Sequence, residues 1–450
     1  MASIKQWTTP LKGVESLKLT EAPKPAPGKG EVLVEIHAVS LNYRDIEVPC
    51  SDMCGVITQV GDGVSAWKVG DRVLSTFLPD HQTGQVTEKE LSRGIGLPLD
   101  GVLAEYRVFP EHALVKAPSY MSDEQAATLP IAVVTAWMSI NGMRPMGQNG
   151  GHGEYILLQG TGGVAIAGLQ IGKASGAKVI ITSSSDSKLA QAKELGADYT
   201  INYRTHPNWE EEVMRLTNNH GADIILEVGG AQTLKKSFDS IAFGGLINCI
   251  GYVSGKMDAP DDRTNVNLLA LRRNVTLKGI INGPKDRFEE AVKFYEKHQI
   301  QPVVNKVFSF EEANEAFRFL ESGNHFGKVV VRVNITTYLT PVPPSKVNPR
   351  DTLQIYHTQQ FLPSTEYRPD FQQMSHKPAD HTRRKPPSLF PAKEEPTSPF
   401  YTMLQSAPPD YLLQREEPHE YPSSRSSPTY RTRGQQEDYG VILYGVAQKM

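Results

Sequence analysis

Apolar and polar residues alternate over short stretches of the first 130 residues, and this period of two is typical of strands with one buried face. The alternation predicts strands over 29–40, 55–60 and 71–75 and a β-hairpin over 101–116. Glycine and proline residues lie between these stretches and favour turns there. We therefore expect the first part of the chain to form antiparallel β structure.

From about residue 131, apolar runs alternate with longer helical segments. Predicted strands cover 154–159, 178–182, 199–203, 223–228, 245–251 and 275–281, and the predicted helices between them end at Ala174 or cover 187–195, 208–217 and 231–241. Apolar runs such as Ile224-Ile225-Leu226 are typical of strands that are buried on both faces. This alternation predicts a doubly wound parallel sheet. Helices over 286–298 and 310–321 and strands near 303–308 and 328–333 are expected to rejoin the first domain.

The composition of the chain changes after about Val333. Residues 336–450 hold 17 of the 32 prolines but only three of the 37 glycines. Such a segment offers too little apolar surface to offset the entropy that is lost on ordering. The composition predicts a disordered, proline-rich tail over 336–450, either a passive extension or a segment that docks protein partners.

Charge and cysteine content exclude several classes of protein. The formal net charge of −3 gives no basic field that would attract nucleic acid. No apolar run approaches the roughly 18 residues of a membrane span, and the N-terminus lacks a signal peptide. Three cysteines are too few for a disulfide scaffold and fit a reducing compartment. We expect a cytoplasmic protein without nucleic-acid or membrane partners.

A glycine-rich turn after the strand 154–159 carries the strongest chemical signal. Gly160 permits a tight turn, Gly162 lets a pyrophosphate approach the backbone, and Ala165 lets helix and strand pack closely. The free N–H groups and the positive dipole end of the following helix then face the phosphates. This pattern predicts a dinucleotide site in which the cofactor contacts Gly160, Thr161, Gly162, Gly163 and Val164.

The end of the second strand of this sheet indicates which dinucleotide binds. An acidic residue that holds the ribose 2′-hydroxyl of NAD usually lies about 20 residues past the turn. Ser183 occupies that place here, followed by Ser184, and Lys188 lies within reach. Hydroxyls and an ammonium can hold a 2′-phosphate, so NADPH is favoured. The alternative makes Asp186 the ribose acid, although its position suits a helix N-cap better.

Several motifs in this order resemble those of the medium-chain dehydrogenase/reductase superfamily, in its zinc-independent, quinone-oxidoreductase-like and alcohol dehydrogenase-like branch. They include Asn42-Tyr-Arg-Asp45, Val69-Gly-Asp-Arg-Val73, Gly160-Thr-Gly-Gly-Val164, Gly196-Ala-Asp198 and His325-Phe-Gly-Lys328. The resemblance implies a GroES-like β-rich catalytic domain over 1–130 and 284–335, and a Rossmann NADP-binding domain over 131–283. It also implies a small-molecule substrate and a homodimer.

Zinc enzymes of this superfamily hold their metal through a Cys, a Gly-His-Glu motif and a later Cys or Asp. At the corresponding positions this sequence has Asn42, Ser51 and Asp52, and only Ile131 and Ala132 near the last. Zinc needs thiolate, imidazole or carboxylate ligands, which this set does not supply. The resemblance therefore predicts no metal ion, and it implies transfer of a hydride from NADPH to an electron-poor acceptor, a quinone or an enone.

The resemblance also nominates residues for each part of the site. Tyr43 would donate a proton or a hydrogen bond to the developing oxyanion, Asn42 would orient the substrate or nicotinamide, and Asp45 would hold the loop. The alternative makes Tyr43 a packed aromatic residue and Asp45 a turn residue. Further cofactor contacts are expected at Lys188 and Tyr203 near the adenosine phosphate, at Gly251, Tyr252 and Val253 near the nicotinamide, and at Phe326, Gly327 and Lys328.

One segment that the family carries after Asp45 is missing, because Val48-Pro49-Cys50 follow almost at once. A loop that covers the cleft excludes water and positions the acceptor, so its loss would open the site. A second hypothesis therefore stays open: a non-catalytic NADPH-binding protein whose tail docks partners. A zinc alcohol dehydrogenase is a third, which stoichiometric zinc in the purified protein would support.

Overall fold

A computed structural model of the chain describes residues 2–255 and 265–333. The predicted tail over 336–450 lies outside the described residues. The strands are β1 (Ser3–Thr8), β2 (Lys18–Pro23), β3 (Glu31–Leu41), β4 (Asp52–Val60), β5 (Arg72–Ser75), β6 (Tyr106–Pro110), β7 (Leu114–Lys116), β8 (Tyr155–Gln159), β9 (Lys178–Ser183), β10 (Tyr199–Asn202), β11 (Ala222–Glu227), β12 (Ile241–Cys249), β13 (Thr276–Gly279), β14 (Val304–Ser309) and β15 (Lys328–Arg332). The α-helices are α1 (Glu88–Leu91), α2 (Asp123–Ala126), α3 (Val134–Asn141), α4 (Gly163–Ala174), α5 (Asp186–Glu194), α6 (Trp209–Leu216), α7 (Leu234–Ser240), α8 (Val266–Arg272), α9 (Lys285–His298) and α10 (Ala313–Glu321).

The middle of the chain forms a parallel sheet with the strand order β10-β9-β8-β11-β12-β13. Successive residues of its central strands face opposite sides of the sheet, and apolar residues cover both sides. Leu158, Ile181 and Leu226 belong to one apolar core, whereas Leu157, Ile180 and Ile225 belong to another. The predicted Rossmann sheet is therefore confirmed.

A second, mixed sheet is built from both ends of the described chain, in the order β14-β15-β3-β4-β5-β7. The late strand β15 runs antiparallel to β3, with Val330 opposite Ser40. The elements after residue 300 thus rejoin the β structure of the first 130 residues, and the predicted combination of Rossmann and GroES-like sheets is confirmed. The residue boundaries assigned to the domains stay a prediction.

Two local predictions differ from the structure. Residues 101–116 do not form a hairpin, because β6 pairs with β3 and β7 pairs with β5. A 3-10 turn at Glu111–Ala113 redirects the chain between the two strands, so each completes a different neighbour. Helix α3 was not predicted, because all of its eight residues are buried and none is charged, so its sequence shows no solvent-facing side.

The two sheets meet at the glycine-rich turn. The N–H of Gly327 donates to the carbonyl of Thr161 at 2.9 Å, and Gly162 and Gly327 form an isolated parallel bridge. The residues that lead into β15 therefore lie directly on the turn that follows β8. Among the described helices, none is long and apolar enough to cross a membrane.

Candidate functional site

The glycine-rich turn has the geometry that a pyrophosphate requires. Gly160 adopts a positive φ of 77°, and Gly162 caps the N-terminus of α4 without any side-chain hydrogen bond. A Cβ added at Gly162 would meet only the His325 Nε2, at 4.0 Å, so open space lies outside the backbone at this point. The N–H groups of the first turn of α4 are thus left for an anion, and a dinucleotide pyrophosphate fits the turn.

The residues predicted to hold a 2′-phosphate gather at the end of β9. Ser183 is buried as the last residue of the strand, and the N–H of Tyr203 donates to its carbonyl at 3.1 Å. The Lys188 ammonium donates to the carbonyl of Gly323 at 2.6 Å, and burial lowers the pKa of Lys188. Ser184 lies between Ser183 and the start of α5. The structure therefore brings these predicted residues together.

Asp186 does not cap α5. Ser185 is the N-cap and accepts from the N–H of Lys188 at 3.4 Å, while Asp186 is the first residue of the helix. Its carboxylate accepts instead from the side-chain amide of Asn202 at 2.7 Å. Ser185 lies one residue before the helix, where its hydroxyl can reach the free N–H groups. The sequence pattern had placed this N-cap one residue later, at Asp186.

On the other side of the turn, a buried ammonium joins the two sheets. Lys328 is 6 % exposed, and its ammonium donates to the carbonyl of Leu41 at 2.5 Å and to the Asn42 Oδ1 at 2.6 Å. Its aliphatic stem passes over Gly163, where an added Cβ would lie 2.5 Å from the Lys328 Cδ. Lys328 therefore contacts both the predicted catalytic segment and the phosphate-binding turn.

Two buried carboxylates accompany this ammonium. Asp52 is fully buried and accepts from the Ser51 hydroxyl at 2.8 Å and from the N–H of Ile131 at 3.0 Å. Asp45 accepts from the N–H of Asn42 at 2.7 Å. Burial raises the pKa of Asp52, which the positive charge of Lys328 opposes, and burial also raises the pKa of Asp45, to about 7.

The same burial acts in the opposite sense on the ammonium. Burial lowers the pKa of Lys328, while the charges of Asp52 and Asp45 oppose this decrease. Charges that are withdrawn from water need compensation, and here the ammonium and the two carboxylates compensate one another. Lys328, Asp45 and Asp52, together with the amide of Asn42, form what we call the buried charge cluster.

A zinc ion does not fit this cluster. The positions that resemble zinc ligands hold the amide of Asn42, the hydroxyl of Ser51 and the single carboxylate of Asp52, and the Lys328 ammonium already lies 2.6 Å from the amide oxygen. Burial raises the pKa of the neighbouring Cys50 thiol, which disfavours a thiolate ligand. Within residues 2–255 and 265–333, no group of three His, Cys, Asp or Glu side chains is arranged to hold a metal ion.

The remaining predicted residues differ in exposure and surroundings. Tyr43 begins the 3-10 helix Tyr43–Ile46 and is 53 % exposed, so it is not a packed aromatic residue. The hydroxyl of Tyr252 lies 3.5 Å from the Glu47 Oε2, which places the expected nicotinamide loop, Gly251 to Val253, beside this segment. The ring of Phe326 is buried in the apolar core, and its role at the cofactor stays a prediction.

Two features of the site were not predicted from the sequence. A buried carboxylate, Glu227 at the end of β11, accepts from the Gln159 amide at 2.6 Å and from the N–H groups of Gly229 and Gly230 at 2.9 Å, which ties the end of β8 to the loop after β11. The ring of His325 lies beside Gly162. His325 belongs to a motif that carried the resemblance, but its type and position alone do not show which way it faces.

We predict that Asp45 makes stability depend on pH. Its pKa of about 7 exceeds that of an unfolded Asp, so the folded state binds more protons between about pH 4 and 7. The free energy of unfolding therefore falls as pH rises through this window, by at most about 1.4 kcal/mol per pH unit from this residue. Asp45→Asn is expected to flatten that slope in urea unfolding series, and equal slopes in the two proteins would contradict the assignment.

Comparisons with known proteins agree with this site and fold. A model of the alcohol dehydrogenase GroES-like domain matches residues 28–119, and a model of zinc-binding dehydrogenases matches residues 163–297. A zinc-type alcohol dehydrogenase-like protein of Schizosaccharomyces pombe is 38 % identical over 339 residues, which cover 72 % of this chain and 97 % of that protein. An acryloyl-coenzyme A reductase of Sulfurisphaera tokodaii is 30 % identical over 342 residues, which cover 71 % of this chain and 97 % of the reductase.

A solved structure assigned as an alcohol dehydrogenase of Sinorhizobium meliloti 1021 is 38 % identical and has a TM-score of 0.67, covering 74 % of this chain and all of that one. The chain belongs to the medium-chain dehydrogenase/reductase superfamily, whose members are oxidoreductases that bind a nicotinamide cofactor and act on small molecules. The predicted membership of this superfamily is therefore confirmed, whereas zinc independence stays a prediction.

Proposed function

We propose that the chain is a zinc-independent, NADPH-dependent reductase whose acceptor is a quinone or another activated carbonyl or enone. The buried charge cluster carries this proposal, because an ammonium and an amide stand where a metal would need anionic or imidazole ligands. An acceptor that is already electron-poor does not need a Lewis acid to take up a hydride. The relative named as an acryloyl-coenzyme A reductase supports the same acceptor class, because an acryloyl group contains an activated double bond.

On the cofactor side, the chain supplies binding and orientation, while NADPH when bound supplies the hydride. The turn from Gly160 to Val164 would hold the pyrophosphate on backbone N–H groups and the dipole of α4. Ser183, Ser184, Lys188 and Tyr203 lie at the end of β9, where the hydroxyls and the ammonium would hold the 2′-phosphate.

On the acceptor side, the chain supplies a hydrogen-bond donor on a fixed segment. The exposed Tyr43 hydroxyl would donate to the oxygen that gains negative charge. Asn42 is held through both its backbone and its side chain, since its backbone N–H donates to Asp45 and its side-chain amide oxygen accepts from Lys328. Asp45 and Lys328 thereby position the segment that carries Tyr43.

Turnover with both nicotinamide cofactors tests this proposal. The purified full chain is expected to oxidise NADPH in the presence of a small panel of quinones and enones, and NADH more slowly. Lys188→Ala is expected to lower kcat/KM for NADPH about 10-fold or more, the loss of one charge-assisted hydrogen bond, with little change for NADH. Tyr43→Phe is expected to lower kcat without weakening NADPH binding.

The alternative outcomes separate the hypotheses. Tight NADPH binding without turnover on any acceptor would favour the non-catalytic NADPH-binding protein and would assign the loss to the missing segment after Asp45. A preference for NADH that Lys188→Ala leaves unchanged would contradict the assignment of the 2′-phosphate site. Stoichiometric zinc, with activity that chelation abolishes, would contradict zinc independence.

We also propose that the chain is a cytoplasmic homodimer. All three cysteines, Cys50, Cys54 and Cys249, are free thiols, which fits a reducing compartment. In the described part of the chain β13 is an edge strand of the parallel sheet, and Leu271 and Leu277 beside it are 78 % and 38 % exposed. An open strand edge flanked by exposed leucines favours pairing with a second copy.

A further inference from the structure

The segment from Gly323 to Gly327 covers the phosphate-binding turn from the opposite domain. Its two ends are tied to the Rossmann domain, since the carbonyl of Gly323 accepts from Lys188 at 2.6 Å and the N–H of Gly327 donates to Thr161 at 2.9 Å. His325 lies in the middle of this segment. Its Nε2 is 4.0 Å from the point that a Cβ on Gly162 would occupy, so the ring faces the space that the turn leaves open.

The surroundings of His325 are positively charged and contain no compensating acid among the groups that act on it. The charged groups that face the ring are Lys188 on α5 and Lys328 on β15, and Phe319 of α10 packs against it edge-on, with ring centroids 6.4 Å apart. The His325 Nδ1 is buried without a hydrogen-bond partner. Burial and the two lysines together lower the pKa of His325 to about 4, so the ring is neutral near pH 7.

The positive charges of Lys188 and Lys328 disfavour a proton on His325, and an anion bound in the space that the ring faces would offset them. The phosphate nearest to Gly162 in a bound dinucleotide would be part of the pyrophosphate. We propose that His325 is a ligand of the dinucleotide pyrophosphate and that it takes up a proton when the dinucleotide binds. This inference rests on the proposed function, because it assumes that a nicotinamide dinucleotide occupies the turn.

The affinity for the dinucleotide is expected to depend on pH. The two negative charges of a bound pyrophosphate raise the pKa of His325 above its value in the free protein. Between the free and the bound value, each dinucleotide that binds carries up to one proton into the site. The Kd therefore rises with pH in this interval, by up to about 10-fold per pH unit.

NADH is the appropriate probe, because it has no 2′-phosphate that would titrate near neutrality. Fluorescence titrations of the full chain with NADH from pH 5.5 to 7.5 are expected to show a Kd that rises with pH. His325→Gln keeps an N–H donor without the titration, so its Kd is expected to be about 10-fold higher at pH 5.5 and independent of pH. His152→Gln, at an exposed loop histidine, is the matched control and is expected to follow the wild type.

The outcomes separate the inference from the proposed function. Equal Kd values and equal pH slopes for wild type and His325→Gln would overturn the inference and leave the dinucleotide site standing. No binding of NADH or NADPH to the wild type would overturn both. A loss on His325→Gln that is confined to NADPH would place the histidine on the 2′-phosphate and would overturn the assignment to the pyrophosphate.

Calorimetry of the wild type provides a test that needs no variant. The heat of NADH binding at pH 6 is measured in two buffers of different ionisation enthalpy, and the difference reports the protons that are taken up. We expect uptake of a substantial fraction of one proton for each NADH. Uptake indistinguishable from zero across the pH range would overturn the proposal even if His325→Gln did not fold.

Discussion

Lys328→Met is expected to lower the free energy of unfolding by about 3 kcal/mol, because two buried acceptors lose their donor and two buried carboxylates lose a nearby positive charge. Methionine keeps most of the length and apolar stem of the lysine but removes the charge. The carbonyl of Leu41 and the Oδ1 of Asn42 would each lose a donor, and Asp45 and Asp52 would lose the positive charge that opposes their burial.

Urea unfolding at pH 7 measures this loss, and Lys235→Met is the matched control. Lys235 forms an exposed pair with Asp239 on α7, with its side chain 62 % exposed. Loss of such a pair changes stability by less than about 1 kcal/mol. A Lys328→Met protein that is destabilised no more than Lys235→Met would show that the buried charge cluster does not form as described.

Gly162→Ala is expected to leave the fold intact and to weaken dinucleotide binding about 100-fold or more. Gly162 has φ −79° and ψ −175°, which alanine adopts without strain, and the new methyl group meets nothing nearer than the His325 Nε2 at 4.0 Å. In the free protein the substitution is therefore tolerated. With a dinucleotide bound, the methyl group would occupy the space through which the pyrophosphate approaches the backbone.

Thermal unfolding with and without NADPH reports both parts of this prediction. The free variant is expected to melt close to the wild type. NADPH at 100 times the Kd of the wild type would stabilise the wild type by about 2.7 kcal/mol, and the same concentration would stabilise the variant by much less. Gly279→Ala is the control, because a Cβ there also meets open space but lies on the edge strand β13. If Gly162→Ala kept the full stabilisation by NADPH, the pyrophosphate would not lie on this turn.

Local patterns in the sequence account for most of the fold and for the phosphate-binding turn. The spacing of Gly160, Gly162 and Ala165 lies within one strand-turn-helix unit, so its geometry depends on neighbours in the chain. Strands that are buried on both faces have apolar runs in their sequence, and these runs made the parallel sheet predictable. Helix α3 is buried on all sides and holds no charged residue, so its sequence lacks the contrast between a solvent face and a core face that reveals a helical period.

The buried charge cluster could not be derived in the same way. Lys328 meets Asn42 across 286 residues of chain, and only the pairing of β15 with β3 brings them together. A lysine in a sequence most often indicates a solvated charge, and nothing in its neighbours shows that this one is buried. The direction of the His325 ring depends in the same way on how the two domains meet.

The antiparallel pairing of β15 with β3 also has a consequence for the order in which the protein matures. During synthesis, β3 leaves the ribosome early, but the strand that covers one of its edges and the ammonium that compensates Asp45 and Asp52 follow almost 300 residues later. Until then part of the β3 edge is open, and Asp52 lacks the positive charge of Lys328 that opposes its burial. The Rossmann sheet, whose strands lie between residues 155 and 279, can complete its own pairing first. The N-terminal domain is thus the last part of the described chain to complete its sheet. In a nascent chain that ends before β15, this domain is prone to misfold.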